Sequence, residues 1–182
     1  MQSRLISIAI LSLLVTSLPL VWTQSADAAT ATATVNSISA AGIGRPLGTV
    51  TFTDSAEGLM MTPNLSGLPP GEHGFHIHEK GDCGLGMNEG KLAAGFAAGG
   101  HYDPAHTKKH LGPLSTEGHR GDLPVLVVDS RGDATEVVTA PHLTVREIRG
   151  RSVMIHAGGD NYSDTPKPLG GGGARIACGV IH

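Results

Sequence analysis

GEHGFHIHEK, residues 71–80, reads as a strand that carries chemistry. Side chains two apart on a strand share a face, so His76 and His78 stand together while Ile77 turns toward a core. Two adjacent imidazoles can hold one metal ion without any loop rearrangement. An isolated His-x-His is a weak signal, because two solvated strand histidines look the same. The rest of the chain decides between these readings. Ten histidines occur, none before His73. His101, His110, His119 and Asp122 follow at spacings of 9, 9 and 3. Their Gly and Pro neighbours let a backbone turn sharply, as a loop wrapping an ion requires. His156 ends the apolar run Val153-Met154-Ile155 and opens a glycine-rich stretch. Six histidines and one aspartate exceed the needs of one ion. Zinc takes a tetrahedron of nitrogen and carboxylate ligands, and copper(II) prefers a flatter set of imidazoles. Two four-ligand sites need eight positions, which seven residues fill if one histidine serves both.

Outward from this stretch the chain is all-β. Short β-branched or alternating runs, punctuated by Gly, Pro, Asn and Asp, predict strands over 32–39, 47–53, 58–65, 71–78, 124–129, 134–139, 152–157 and 174–181. Eight such strands suit a closed barrel or a sandwich. Residues 130–133 predict a hairpin loop, and 144–149 one helical turn stopped by Gly150. Two long segments, 79–120 and 158–173, do not read as strands, and the second ends in four consecutive glycines. Long ordered loops in a compact domain are usually functional, and the metal-type residues lie in these loops or at the strand ends feeding them.

Residues 1–28 have the layout of a secretory leader: a charged start at Arg4, an apolar run over 5–22 and a small-residue site, Ala26-Asp27-Ala28. The competing reading is a retained membrane anchor, since the run is close to spanning length; Pro19 and the Ala-x-Ala site favour cleavage. Residues 29–182 then form one domain, with no stable membrane association after cleavage. The chain has 13 Lys and Arg against 16 Asp and Glu, a net charge of −3. That balance supplies no basic face for nucleic acid. The two cysteines, Cys83 and Cys178, read as a disulfide in an exported chain, with free thiols or a soft metal site as alternatives. A bond between them would close a loop of about 95 residues, worth roughly 4 to 5 kcal/mol on chain entropy.

With the motifs GFHIHE (74–79), GGHYDP (99–104), GHRGDLP (118–124) and GGDNYSDTPKPLGGGGARIACGVI from Gly158 assembled, the sequence closely resembles the exported bacterial branch of the copper/zinc superoxide dismutases. The resemblance covers nearly all of residues 29–182. It implies an eight-stranded antiparallel Greek-key barrel, flattened like a sandwich, with two long functional loops. It implies one copper, held by His76, His78, His101 and His156, and one zinc, held by His101, His110, His119 and Asp122, with the His101 imidazolate between them. It further implies a Cys83–Cys178 disulfide and an Arg175 that docks superoxide. Asp160 would orient ligands through His76 and His110, with Asp164 as a competitor for that role. The implied reaction turns superoxide into oxygen and hydrogen peroxide. The bridging ring would leave copper on reduction and take up a proton.

His73 is three residues from His76 and is expected on the opposite strand face. His106, His142 and His182 are expected to be non-ligands. Lys91 and Lys167 are the basic groups available to guide an anion. The expected destination is the periplasm, with secretion as the alternative, and a homodimer is admitted. A second reading is an envelope protein that stores copper and zinc, though storage needs no anion-docking arginine. A third, a zinc hydrolase, would need an open zinc position, and all four here have a candidate ligand.

Overall fold

The computed structural model describes residues 28–182; the leader expected over residues 1–28 lies almost wholly outside them. Twelve strands and one short helix follow in order. They are β1 (Thr30–Ser39), β2 (Gly42–Ser55), β3 (Gly58–Ser66), β4 (Gly71–His73), β5 (Phe75–His78), β6 (Gly86–Asn88), β7 (Lys91–Ala93), β8 (Leu126–Val128), β9 (Asp133–Ala134), β10 (Val138–Ala140), α1 (Val145–Ile148), β11 (Ser152–His156) and β12 (Arg175–Val180). Among these described residues, no helix is long and apolar enough to cross a membrane.

Alternation builds the sheet. Along β1, Ala31, Ala33 and Val35 are buried while Thr30, Thr32 and Thr34 are exposed. The same pattern buries Leu59, Met61 and Leu65 in β3. Successive hairpins join β1 to β2 and β2 to β3, and the last strand returns beside the first, giving the order β10-β3-β2-β1-β12-β11-β5 with β9 also on β3. Every pairing in this sheet is antiparallel. The sheet curls around one apolar core that includes Val50, Phe52, Leu59, Phe75, Ile77, Val153 and Ile155. This is the expected Greek-key barrel.

Several elements differ from the sequence reading. The single strand expected over 71–78 breaks at Gly74. β4 pairs with β8, whereas β5 pairs with β11, so the chain changes partner at that glycine. Gly74 donates its N–H to Gly158 and accepts from His156 N–H, which diverts its hydrogen bonds to the strand ends. The strand expected over 134–139 divides into β9 and β10. Residues 130–133 form a tight turn around Asp129, whose carboxylate accepts from the N–H groups of Arg131 and Asp133. The flanking β8 and β9 pair with β4 and β3, so that turn does not close a two-stranded ladder. The segment 79–120 is not strand-free: β6 and β7 form a small hairpin inside it. Its Met87 and Leu92 are opposed and both exposed, so no buried face marked the hairpin in the sequence. The helical turn is present, begun after Thr144 and ended at Gly150.

β5 is an edge strand of the sheet, and the long first loop covers its free side. Ile77 N–H donates to Gly121 O, Tyr102 N–H to Ile77 O, and Glu79 N–H to Gly100 O. A Cβ on residue 121 would sit 2.2 Å from the Ile77 oxygen, so only glycine permits this approach. The loop is thereby stitched to the backbone of Ile77 and Glu79, the two residues that flank His78. Ile77 is fully buried in that core. Truncating it, as Ile77→Ala, should cost about 2 to 5 kcal/mol in chemical denaturation, the range for large-to-small core changes; a loss under about 1 kcal/mol would contradict this placement.

Candidate metal centre

Three strand positions and one loop bring the seven donor residues together. His76 and His78 project from β5. His156 ends β11, which is registered against β5 through Met154 opposite His76. His101, His110, His119 and Asp122 come from the loop that covers the β5 edge, where short bridges pair His78 with His101 and His76 with Asp122. All seven are buried. Ring centroids of His76 and His101 lie 4.0 Å apart, those of His78 and His101 5.1 Å, and those of His78 and His156 5.7 Å.

Four of the rings divide their two nitrogens between holding themselves in place and facing the centre. His76 Nε2–H donates to Asp160 Oδ2 at 2.7 Å, and His110 Nε2–H to Asp160 Oδ1 at 2.7 Å. His78 Nδ1–H donates to Gly99 O at 3.0 Å, and His156 Nδ1–H to Gly173 O at 3.2 Å. Left over are His76 Nδ1, His78 Nε2, His101 Nε2, His110 Nδ1, His119 Nδ1 and His156 Nε2, all buried and without a hydrogen-bond partner. A buried polar atom without a partner is costly. Six of them converging in one place fit a cationic occupant.

The donors fall into two groups. His76, His78, His101 and His156 can direct one nitrogen each to a common point, with the four atoms within 4.8 Å of one another. On the other side, the Nδ1 atoms of His101, His110 and His119 lie 3.0, 3.0 and 3.3 Å from Asp122 Oδ1. Tetrahedral zinc with bonds of about 2.0 to 2.1 Å would set its ligand atoms about 3.3 Å apart, so this second group is close to zinc dimensions. His76 also falls within reach of His101, His110 and Asp122. However, its Nε2 is committed to Asp160, which leaves only Nδ1 for either group. His101 alone presents both nitrogens, Nδ1 toward the Asp122 group and Nε2 toward the imidazole group.

Burial sets the protonation pattern. It drives His76 and His78 well below the ordinary histidine range, with the neighbouring His101 adding to the effect. His101 is also lowered by burial, against an opposing pull from Asp122. Burial, with His101, pushes His156 down to about 4. His110 goes the other way: burial disfavours its charge, but Asp122 and then Asp160 outweigh that and raise it to about 9. Desolvation opposes the charge on Asp122 and Asp160, yet the histidine nitrogens set against them hold both well below the usual carboxylate range. Apart from His110, this gives neutral imidazoles and ionised carboxylates, the forms that bind metals.

Arg175, the first residue of β12, donates from Nη1 to Gly95 O at 2.7 Å and from Nη2 to Gly99 O at 2.9 Å. Burial pulls it down to about 10, which leaves it charged at neutral pH. Asp160 spans His76 and His110, whereas Asp164 accepts from the backbone N–H of His110 and of Leu169. The two carboxylates therefore do different work, one on rings and one on loop backbone. Cys83 and Cys178 are disulfide-bonded, with Cα atoms 5.6 Å apart. His73 is buried, its Nδ1 2.7 Å from His156 O and its Nε2 2.8 Å from Pro69 O. That clamp on the backbone of a site histidine was not legible in the sequence, because it depends on the chain's turn at Gly74. His106 and His182 are exposed, and His142 is partly exposed beside Leu114 O.

The matching family model is the one described as copper/zinc superoxide dismutase, over residues 47–181. The Escherichia coli K12 protein named superoxide dismutase [Cu-Zn] is 52% identical over 165 residues, 90% of this chain and 95% of its own. The Brucella abortus Cu/Zn superoxide dismutase structure superposes with a TM-score of 0.82 at 49% identity, covering 85% of this chain and all of its own. The solution structure of the monomeric copper, zinc superoxide dismutase from Salmonella enterica gives 0.75 at 54% identity over the same share of this chain and all of its own.

The protonation pattern carries a sign that can be checked on metal-free protein. His76, His78, His101 and His156 have lowered folded-state values, so below about 6.5 the unfolded chain binds more protons and stability falls toward pH 4. His110 is raised, so its contribution is full below about 6.5 and is lost as pH climbs through about 9. Thermal unfolding of the metal-free protein should therefore peak near pH 6.5 and decline on both sides; a melting temperature flat from pH 4.5 to 8.5 would refute the pattern.

Proposed function

The chain belongs to the copper/zinc superoxide dismutase family, and from that premise we propose how its residues divide the work. The reaction is the dismutation of superoxide to oxygen and hydrogen peroxide. Copper, when bound, would supply one-electron redox chemistry toward superoxide, and zinc would add a cation of constant oxidation state. In our reading copper would be held by His76 Nδ1, His78 Nε2, His101 Nε2 and His156 Nε2, and zinc by Asp122 with the Nδ1 atoms of His101, His110 and His119. The observation that carries this division is the set of six unpartnered buried nitrogens, one per ring, with His101 alone facing both groups.

His101 Nε2 is then the atom at which a proton is held between the two half-reactions, since the peroxide-forming half consumes protons. Asp122 beside Nδ1 keeps the ring oriented for that exchange. Arg175 docks the anion: its charge is independent of pH in the working range, and its planar guanidinium suits a small anion. Asp160 locks His76 and His110 in rotation; losing such a partner commonly weakens a site by about 10- to 100-fold. Supporting an envelope role, residues 1–28 have a leader's layout, and we propose that 29–182 works in the periplasm.

Two variants test the division. His156→Ala should retain zinc and lose stable copper and most dismutase activity by metal analysis and a superoxide assay; unchanged copper occupancy would show the assignment to be wrong. Arg175→Ala should keep both metals and lose activity at least tenfold, and full activity with full metal content would remove Arg175 from substrate docking.

A further inference from the structure

We propose that Phe96 is a positioning residue for the docking guanidinium: its ring covers one face of Arg175 and sets the plane in which the remaining N–H groups meet superoxide. The inference rests on the reading of Arg175 given above. The Arg175 Cζ lies 4.0 Å from the Phe96 ring centroid, and a cation over an aromatic face is attracted by the ring's quadrupole. The two backbone acceptors, Gly95 O and Gly99 O, grip the guanidinium through Nη1 and Nη2. Two hydrogen bonds locate its edge but resist tilting less than a ring stacked on the face. Five N–H groups minus these two leaves three for substrate.

The turn that carries Phe96 is built for this contact. Phe96–Ala98 is a single 3₁₀ turn that begins after Gly95, in the left-handed region at φ 71°. A Cβ at Gly95 would meet Ile38 at 2.8 Å, Met154 at 3.0 Å and Arg175 at 3.3 Å, so glycine lets the turn close onto the arginine. At its other end Ala98 is buried with the Cys83–Cys178 pair, Ile38 and Met154. The disulfide thus anchors the turn while Phe96 is left out of both apolar clusters. Half-buried, it lines a surface depression together with Asn88, Ala94, Gly173 and Arg175. A ring that serves no core and stacks on the docking cation has a role beside that cation.

The test uses copper- and zinc-loaded protein and azide as the anionic probe, titrated against the copper(II) visible absorption. Phe96→Leu should weaken azide by about two- to fivefold, the range for a cation–aromatic contact at a partly exposed site, with metal content unchanged. Phe96→Tyr, which keeps the ring, should bind azide as the parent does. Unaltered affinity in Phe96→Leu, equal weakening in Phe96→Tyr, or loss of copper from Phe96→Leu would each overturn the proposal. Arg175→Ala separates the two layers. If it leaves azide affinity intact, the docking reading fails as well; if it weakens azide while Phe96→Leu does not, only the role of Phe96 falls.

Discussion

The carboxylate of Asp160 sits between His76 Nε2 and His110 Nε2, 2.7 Å from each, with no side-chain exposure on any of the three groups. A buried carboxylate is tolerable only when its charge is answered, and here two ring N–H groups and the backbone N–H of Tyr162 answer it. The contact spans three pieces of chain far apart in sequence: β5, the long first loop and the glycine-rich loop. Removing it would free both rings to rotate and leave the two loops to find other neighbours. The donor groups on either side depend on it, since His76 faces one and His110 the other.

Around that contact the protein combines a rigid half with a stitched half. β5 and β11 supply three histidines from paired strands whose reverse faces are in the core, so their backbone cannot shift without unpacking Phe75, Ile77 and Ile155. The loop donors have no such backing. They are held by main-chain bonds to the β5 edge, by Asp164 on His110 N–H, and by Asp122, whose Oδ2 accepts from Leu111 and Gly112 N–H while Oδ1 faces the rings. Binding an ion between the halves couples loop order to occupancy, which is how metal affinity becomes folding stability.

Much of this was legible in the chain. Alternation in 32–39 and 58–65 marks half-buried strands, and His76-Ile77-His78 shows which side chains face the site and which the core. The clustering of His101, His110, His119 and Asp122 among glycines and prolines announces a loop built around an ion. What spacing could not supply is which nitrogen each ring offers. That depends on partners such as Gly99 O and Gly173 O, backbone atoms that any residue could provide. The change of partner at Gly74 and the Met87–Leu92 hairpin were hidden for a related reason. A glycine inside a strand pattern does not say where its hydrogen bonds go, and a hairpin without a buried face has no period to read.

The Gly99 carbonyl accepts from both His78 Nδ1 and Arg175 Nη2. One peptide group therefore serves as a common acceptor for a ring of the histidine cluster and for the guanidinium we assign to docking the anion. Any tilt of that peptide swings both side chains at once. A change at residues 98–100 that moves this carbonyl would reach the His78 ring and the Arg175 guanidinium together.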